Sequence, residues 1–497
     1  MSSVLAVPLP RRPRFTDLCR YRVIGLCGTG LLAAGACAAG ALPVGEPFYR
    51  FVGVRHPWAR PGPLLAMTLV YAGLGLLVLG WVLLGRIGAR ASTAPPCTRY
   101  VITTLVLWST PLCLAPPLFS RDVYSYVAAG WEVSQGVDPY RWGPDMAPGP
   151  YLAEVSSVWR STPSPYGPVF LVLSRAVVGL AGSVVPAVLL FRLLALVGVV
   201  LLVVYLPRVA VHFGVRSDQA LWLGVLNPLV LVHFVSGAHN DALLVGLLVA
   251  GLALALERRP ACGVAVCSLA LLVKAPAGLA LVFLVPAWAG MLRGRARLLR
   301  AAGGTLLVGG TVVVAVTVAT GLGYGWVGAL RAPGTVSNWL SVSTQLGPLA
   351  GLLARVADAS VPTAAVLDTS LLVFRTAGGL VAVAIVVVLL ARLRRLGLAA
   401  ALGLALTAVV VLAPAVHPWY LAWGFLPIAA GSPAASIRRP VVVASAVLVM
   451  VLAPSGEATG ILAIAQALTV GLLLAGITGL FELPRTGRAG GPAPSVT

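Results

Sequence analysis

The stretch VVPAVLLFRLLALVGVVLLVVYL, residues 184–206, decides the fold. It is apolar from end to end apart from one arginine. A helix of about 20 such residues spans the hydrocarbon core of a bilayer. Similar runs recur on both sides, near 22–44, 63–86, 100–119, 219–235, 240–256, 303–323, 370–391, 398–416, 419–432, 440–454 and 459–481, with shorter ones at 261–273 and 276–292. The whole chain has 497 residues, 59% hydrophobic and 10% charged, with a mean hydropathy of +0.97. A soluble chain carries about 25% charged residues. A secreted soluble enzyme, a disordered chain and a DNA-binding domain are therefore excluded. The pattern predicts an all-α polytopic transmembrane bundle of about 13–15 membrane segments. No internal repeat is visible. The expected organisation is a cytoplasmic basic N-terminus (1–21), one transmembrane domain (22–481) and a cytoplasmic tail (482–497).

The net charge of +21 would otherwise suggest nucleic acid. Its basic residues sit between apolar runs, as the positive-inside rule expects, and form no continuous basic face. Seven cysteines are scattered without CxxC pairing, so neither a disulfide framework nor a zinc site is expected. The basic lead Arg11–Arg22 before an apolar run resembles a signal peptide, but the run's length and the spans that follow favour an uncleaved first span. From a cytoplasmic start, the loop charges place residues 120–166 and 324–369 outside. The segment 165–182, interrupted by Arg175, fits best as a re-entrant or juxtamembrane helix. Five of the fourteen acidic residues (Asp122, Glu132, Asp138, Asp145 and Glu154) fall in the first outer loop.

On this topology Arg121, Asp122, Asp138, His239, Asn240, Asp241, Lys274, Arg331, Gln345 and His417 all come to one face of the membrane. Ionisable residues at membrane depth are costly and mark functional sites by default. In SRDVYSYVAAGWEVSQGVDPY (120–140), a helix from Asp122 would set Tyr126, Ala129 and Val133 near its carboxylate. That carboxylate suits a general base acting on a substrate hydroxyl, or simply a helix N-cap. Asp138 before Pro139 reads more readily as a turn residue. In SGAHNDALL (236–244), His239 and Asp241 could touch substrate, or Asn240 and Asp241 could cap the next helix. Lys274, the chain's one lysine, stands at an apolar hairpin tip, where it could snorkel to the headgroups or hold a lipid phosphate. His417, in HPWYLAW, either faces the site or belongs to an interfacial aromatic belt. There is no HExxH, Cys/His cluster or Walker A loop, so neither metal nor nucleotide is expected.

At these motifs the chain resembles the GT-C glycosyltransferases. RDVYSYVAAGWEVSQGVDPY, SPYGP, NPLVLVHFVSGAHNDALL, KAP and HPWYLAW, taken in order, resemble the actinobacterial polyprenyl-phosphomannose-dependent α-1,6-mannosyltransferases that build the backbone of lipomannan and lipoarabinomannan. The resemblance covers roughly 100–430. It implies a plasma-membrane, multi-pass enzyme of the cell envelope with an extracytoplasmic active site and Asp122 as catalytic base. It implies polyprenyl-phosphomannose as donor and a mannan or phosphatidylinositol-mannoside-type glycolipid as acceptor, with no cofactor. The leaving phosphate would then be met by Lys274, backed by Arg121, His239 and Arg331. Tyr126, Asp138, Asn240, Asp241, Gln345 and His417 would contact substrate, with loop 120–166 catalytic and loop 324–369 forming the substrate cleft. Where many GT-C relatives carry an acidic pair, this chain has Arg121-Asp122. A transporter or flippase of a polyprenyl-linked sugar remains a competing class, although it should show internal repeats and midplane polar groups. Within the class, transfer of another sugar such as arabinose is equally compatible with the composition.

Overall fold

The computed structural model describes residues 15–44, 62–90, 97–329, 331, 339–358, 363–456, 465–466 and 468–473. Among these residues the regular structure is entirely helical. The principal helices are α1 (Phe15–Ala39), α2 (Pro63–Arg90), α3 (Thr98–Leu114), α4 (Asp122–Ser134), α5 (Pro168–Ala181), α6 (Val184–His212), α7 (Asp241–Leu256), α8 (Pro260–Val273), α9 (Leu279–Ala289), α10 (Arg297–Thr320), α11 (Val342–Ala357), α12 (Thr363–Ala391), α13 (Leu398–Leu412), α14 (Ala422–Gly431) and α15 (Ala435–Leu448). The expected outer loop 324–369 holds the short helix Gly325–Ala329, then α11 and the start of α12. The first fourteen residues and the tail 482–497 lie outside the described residues, as does most of the run 459–481.

Among the described residues five helices are long and apolar enough to cross a membrane: Leu18–Ala39, Pro63–Ile87, Val184–His212, Arg297–Thr320 and Val366–Ala391. Several other expected crossings are shorter helices, such as α8 and α13, and the expected re-entrant segment 165–182 holds the short apolar helix α5. The long helix α6 shows why the sequence carries no amphipathic signal. Leu193, Val197, Val200 and Val204 are exposed along one stripe, while Ala195, Val199, Leu202 and Leu206 are buried on the other. Both faces are apolar because one meets protein and the other is built to meet lipid.

Small residues bring α6 and α7 together. A Cβ at Gly198 would meet the Ala242 backbone, and one at Gly246 would lie 2.6 Å from the Gly198 carbonyl. Arg192, within the apolar run of α6, is 2% exposed. It donates to the carbonyls of Cys113 (2.7 Å), Ser236 (2.8 Å) and Val235 (3.1 Å), so it satisfies backbone acceptors freed where two neighbouring helices end.

The chain bends sharply where the expected spans 219–235 and 240–256 meet. The π-helical turn Val230–Ser236 and α7 meet at 113°, with Ala238 in the left-handed region at φ 55°. The other sharp turn beside the site is at Phe119, φ 64°. Each of these residues sits three positions before an aspartate that opens a helix, Asp122 in α4 and Asp241 in α7. Non-glycine residues seldom adopt this conformation, so both turns aim helix starts at one place.

Candidate active site

Asp122 is the first residue of α4, and its backbone N–H is taken by Ser120 Oγ at 3.1 Å. The cap position is Arg121, with no side-chain cap bond, so capping does not consume the Asp122 carboxylate. Its Oδ2 lies 3.6 Å from His239 Nδ1, and its side chain is 22% exposed. Burial pushes the Asp122 carboxyl up to about 6, opposed by the Lys274 ammonium and reinforced by the Asp241 carboxylate.

Asp241 is set differently. It is fully buried, and its Oδ1 accepts from Lys274 Nζ at 3.0 Å and from Trp423 Nε1 at 2.7 Å. Here too the preceding cap residue, Asn240, makes no side-chain cap bond. Lys274 ends α8, and its ammonium lies 4.4 Å from the ring centre of Tyr420, 5.3 Å from that of Trp423 and 5.7 Å from that of Tyr166. Three aromatic faces and one carboxylate thus hold a cation at low exposure. Gly167, in the SPYGP motif, positions this tip. Its N–H donates to the Val273 carbonyl at 3.1 Å, and a Cβ there would run into the Leu272 backbone. Only glycine lets the start of α5 lie so close to the end of α8.

His239 is buried, stacks on Trp419 at 4.2 Å between ring centres and approaches both aspartates through Nδ1. Tyr126 Oη lies 3.4 Å from His239 Nδ1 and 3.4 Å from Asn240 Oδ1. His417 stacks on the other side of the group, 4.5 Å from Trp419. The structure therefore brings Asp122, Tyr126, His239, Asn240, Asp241, Lys274 and His417 together. Asp138, by contrast, is exposed and its Oδ1 accepts the Tyr140 N–H at 2.9 Å, which makes it a turn residue. Arg121 turns toward the end of α1's connection, donating to the Leu42 carbonyl and to Glu154. Arg331 and Gln345 are exposed, the first after the helix Gly325–Ala329 and the second on α11.

A cleft opens from Asp122 and runs along α4, between it and the segment 159–166, with His417 and Tyr420 at its near end. Its α4 wall is Asp122, Ser125, Ala129 and Glu132. Glu132 was legible only as one of five loop acids, yet the spacing i, i+3, i+7, i+10 from Asp122 was a readable sign that it shares that face. Trp419, Tyr420, Trp423 and Tyr166 are the other unanticipated members. Their motifs stood out, but their place around Lys274 did not. Among the described residues no group of three or more His, Cys, Asp and Glu side chains is arranged to hold a metal ion.

Fold and site together define a polytopic membrane protein with a cleft and a buried ionisable centre at one end of its bundle. Residues 22–290 match the family described as "Alpha-(1->6)-mannopyranosyltransferase, N-terminal domain", and residues 343–480 match the "MptB C-terminal domain". The chain is 37% identical over 431 residues to alpha-(1->6)-mannopyranosyltransferase A of Mycobacterium tuberculosis, covering 84% of this chain and 81% of the relative. It is 35% identical over 443 residues to alpha-(1->6)-mannopyranosyltransferase B of Corynebacterium glutamicum, covering 82% and 72%. No solved structure matches. The chain belongs to the alpha-(1->6)-mannopyranosyltransferase family, whose members are glycosyltransferases.

Proposed function

We propose that the protein is an inverting mannosyltransferase. It moves mannose from polyprenyl-phosphate-mannose to an α-1,6-mannan acceptor, on the outer face of the plasma membrane, in the building of a lipomannan-type backbone. The observation that carries the assignment of the base is that Asp122 alone of the three candidate aspartates lines the cleft. Asp138 is engaged in a turn and Asp241 in a buried ion pair.

In this reading the Asp122 carboxylate takes the proton of the acceptor's primary hydroxyl. The oxygen attacks C1 of the mannose, and the C1–O bond to phosphate breaks, its electron pair leaving with the polyprenyl phosphate. A β-linked donor gives an α-linked product. The Lys274 ammonium stands beside the charge that grows on the leaving group. His239 orients the Asp122 carboxylate, backed by Tyr126, which bonds to His239 and Asn240, and His417 lines the cleft for the transferred sugar. The reading takes no metal and no nucleotide. The basic residues Glu257-flanking Arg208, Arg258 and Arg259 lie at the far end of α7 from Asp241, about 24 Å away at a helical rise of 1.5 Å per residue. The positive-inside rule supports placing that end in the cytoplasm and the cleft outside.

The test uses purified protein in nanodiscs with labelled polyprenyl-phosphomannose and a short α-1,6-mannoside, with GDP-mannose and polyprenyl-phosphoarabinose in parallel. Extension from the mannosyl lipid alone, lost in Asp122→Asn, is the expected result. Transfer from the arabinosyl lipid would change the donor, and no transfer from any donor would turn attention to lipid flipping.

A further inference from the structure

The stripe on α4 does not end at the reacting centre. Glu132 is 0% exposed, and neither carboxylate oxygen has a hydrogen-bond partner among the described residues. Ser125 Oγ, between it and Asp122, is likewise buried and without one. Buried polar groups are almost always bonded, because leaving one unmet costs about 1–3 kcal/mol. Both residues line the cleft, the side from which a bound molecule would meet them. The opposite wall includes Trp159, Thr162 and Ser164, with the Thr162 hydroxyl donating to the Val158 carbonyl and Ser164 Oγ accepting the Tyr166 N–H. A wall with an aromatic residue opposite one bearing a hydroxyl and carboxyl groups suits the apolar and polar faces of a sugar. Asp122 and Glu132 stand ten residues apart on one helix, about 15 Å along its axis. That is the length of a short oligosaccharide and not of a single ring.

We propose that this cleft is an extended acceptor groove in which Glu132 recognises a sugar unit of an α-1,6-linked oligomannoside well removed from the hydroxyl that reacts. The inference rests on the mannosyl-transfer reading for the identity of the sugar. Burial, together with the Asp145 and Asp138 carboxylates, pushes the Glu132 carboxyl up to about 8. A carboxyl that holds its proton can both donate to and accept from sugar hydroxyls. Binding of remote units is the means by which an enzyme extending a chain favours long acceptors and holds their ends at the base.

The experiment measures equilibrium binding of α-1,6-linked mono- to tetramannosides to the full-length protein in nanodiscs without donor, and then kcat and KM for the same series with the lipid donor. The wild type should bind the tetramer roughly tenfold or more tightly than the dimer, about the worth of one good hydrogen bond. Glu132→Leu should bring that ratio close to one, through KM and not kcat, while Glu132→Gln keeps most of it. Ser125→Ala, a milder change on the same wall, should cut it severalfold. No gain with length in the wild type would overturn the inference. So would a Glu132→Leu effect that is equal at every length, or Ser125→Ala and Glu132→Leu both leaving the ratio intact. Length-dependent binding that needs Glu132, without transfer from the mannosyl lipid, would uphold the groove and defeat the donor reading. Transfer without length dependence would do the reverse.

Discussion

Lys274 and Asp241 form one buried pair, Nζ to Oδ1 at 3.0 Å, and Trp423 donates to the same carboxylate oxygen. The single lysine of the chain is thus neutralised before any substrate arrives, in surroundings that hold it by aromatic faces. Removing one member of such a pair leaves an uncompensated buried charge, at a cost of about 3–5 kcal/mol. Lys274→Met and Asp241→Asn should each lower the thermal unfolding midpoint in detergent markedly. The double variant should recover most of the stability and none of the transfer activity. If the double variant is as unstable as the sum of the two, the pair is not the source of the cost.

Asp122→Asn should reduce transfer by about 10²–10⁴-fold, the usual worth of a positioned general base, with the protein still folded by size-exclusion and thermal unfolding. Because burial holds its carboxyl at about 6 and the base works deprotonated, activity should rise with pH along a limb centred there. Lys274 draws that value down, so in Lys274→Met any residual activity should show the limb at higher pH. A pH-independent rate between 5 and 7 would remove Asp122 from the role.

Glu132 predicts a pH effect on stability in the opposite sense from a salt-bridged acid. Its folded value lies near 8, above the ordinary carboxylate range, so its contribution is full below that range and is lost as pH rises toward 8. The unfolding midpoint should fall between about pH 5 and pH 8, and Glu132→Gln should flatten that slope. An unchanged slope in the variant would assign it to other groups.

Arg192→Leu should destabilise the bundle by several kcal/mol, since three backbone carbonyls, two of them buried, each lose a charged donor, worth about 1.5–3 kcal/mol apiece. Thermal unfolding measures this directly. A change under about 1 kcal/mol would mean that those carbonyls find other partners.

Much of the fold could be read from hydropathy. The run at 184–206 opens α6, 261–273 falls within α8, and Lys274 stands at the break between α8 and α9. Hydropathy could not show which way each helix faces, because helices such as α6 are apolar on the lipid side and the protein side alike. For that reason Arg192 passed as an interruption, and the partnership of Asp241 with Lys274, 33 residues on, was invisible. The gathering of seven of the singled-out side chains at one place followed from topology. The separate settings of the two aspartates followed from packing that no local pattern records. Glu132 was hidden for a simpler reason, since a loop acid that ends up buried against a cleft wall looks in sequence like the other four acids of its loop.

The stripe on α4 makes that helix a ruler. One residue added or removed between positions 122 and 132 would swing everything beyond it by about 100° about the axis, carrying Glu132 out of the cleft while leaving Asp122 in place. Substitutions there change what the groove touches, whereas a change of length breaks the registration between its two ends. The segment should therefore tolerate drift in composition and almost none in length, and chains that keep its ten-residue interval keep the same span of groove.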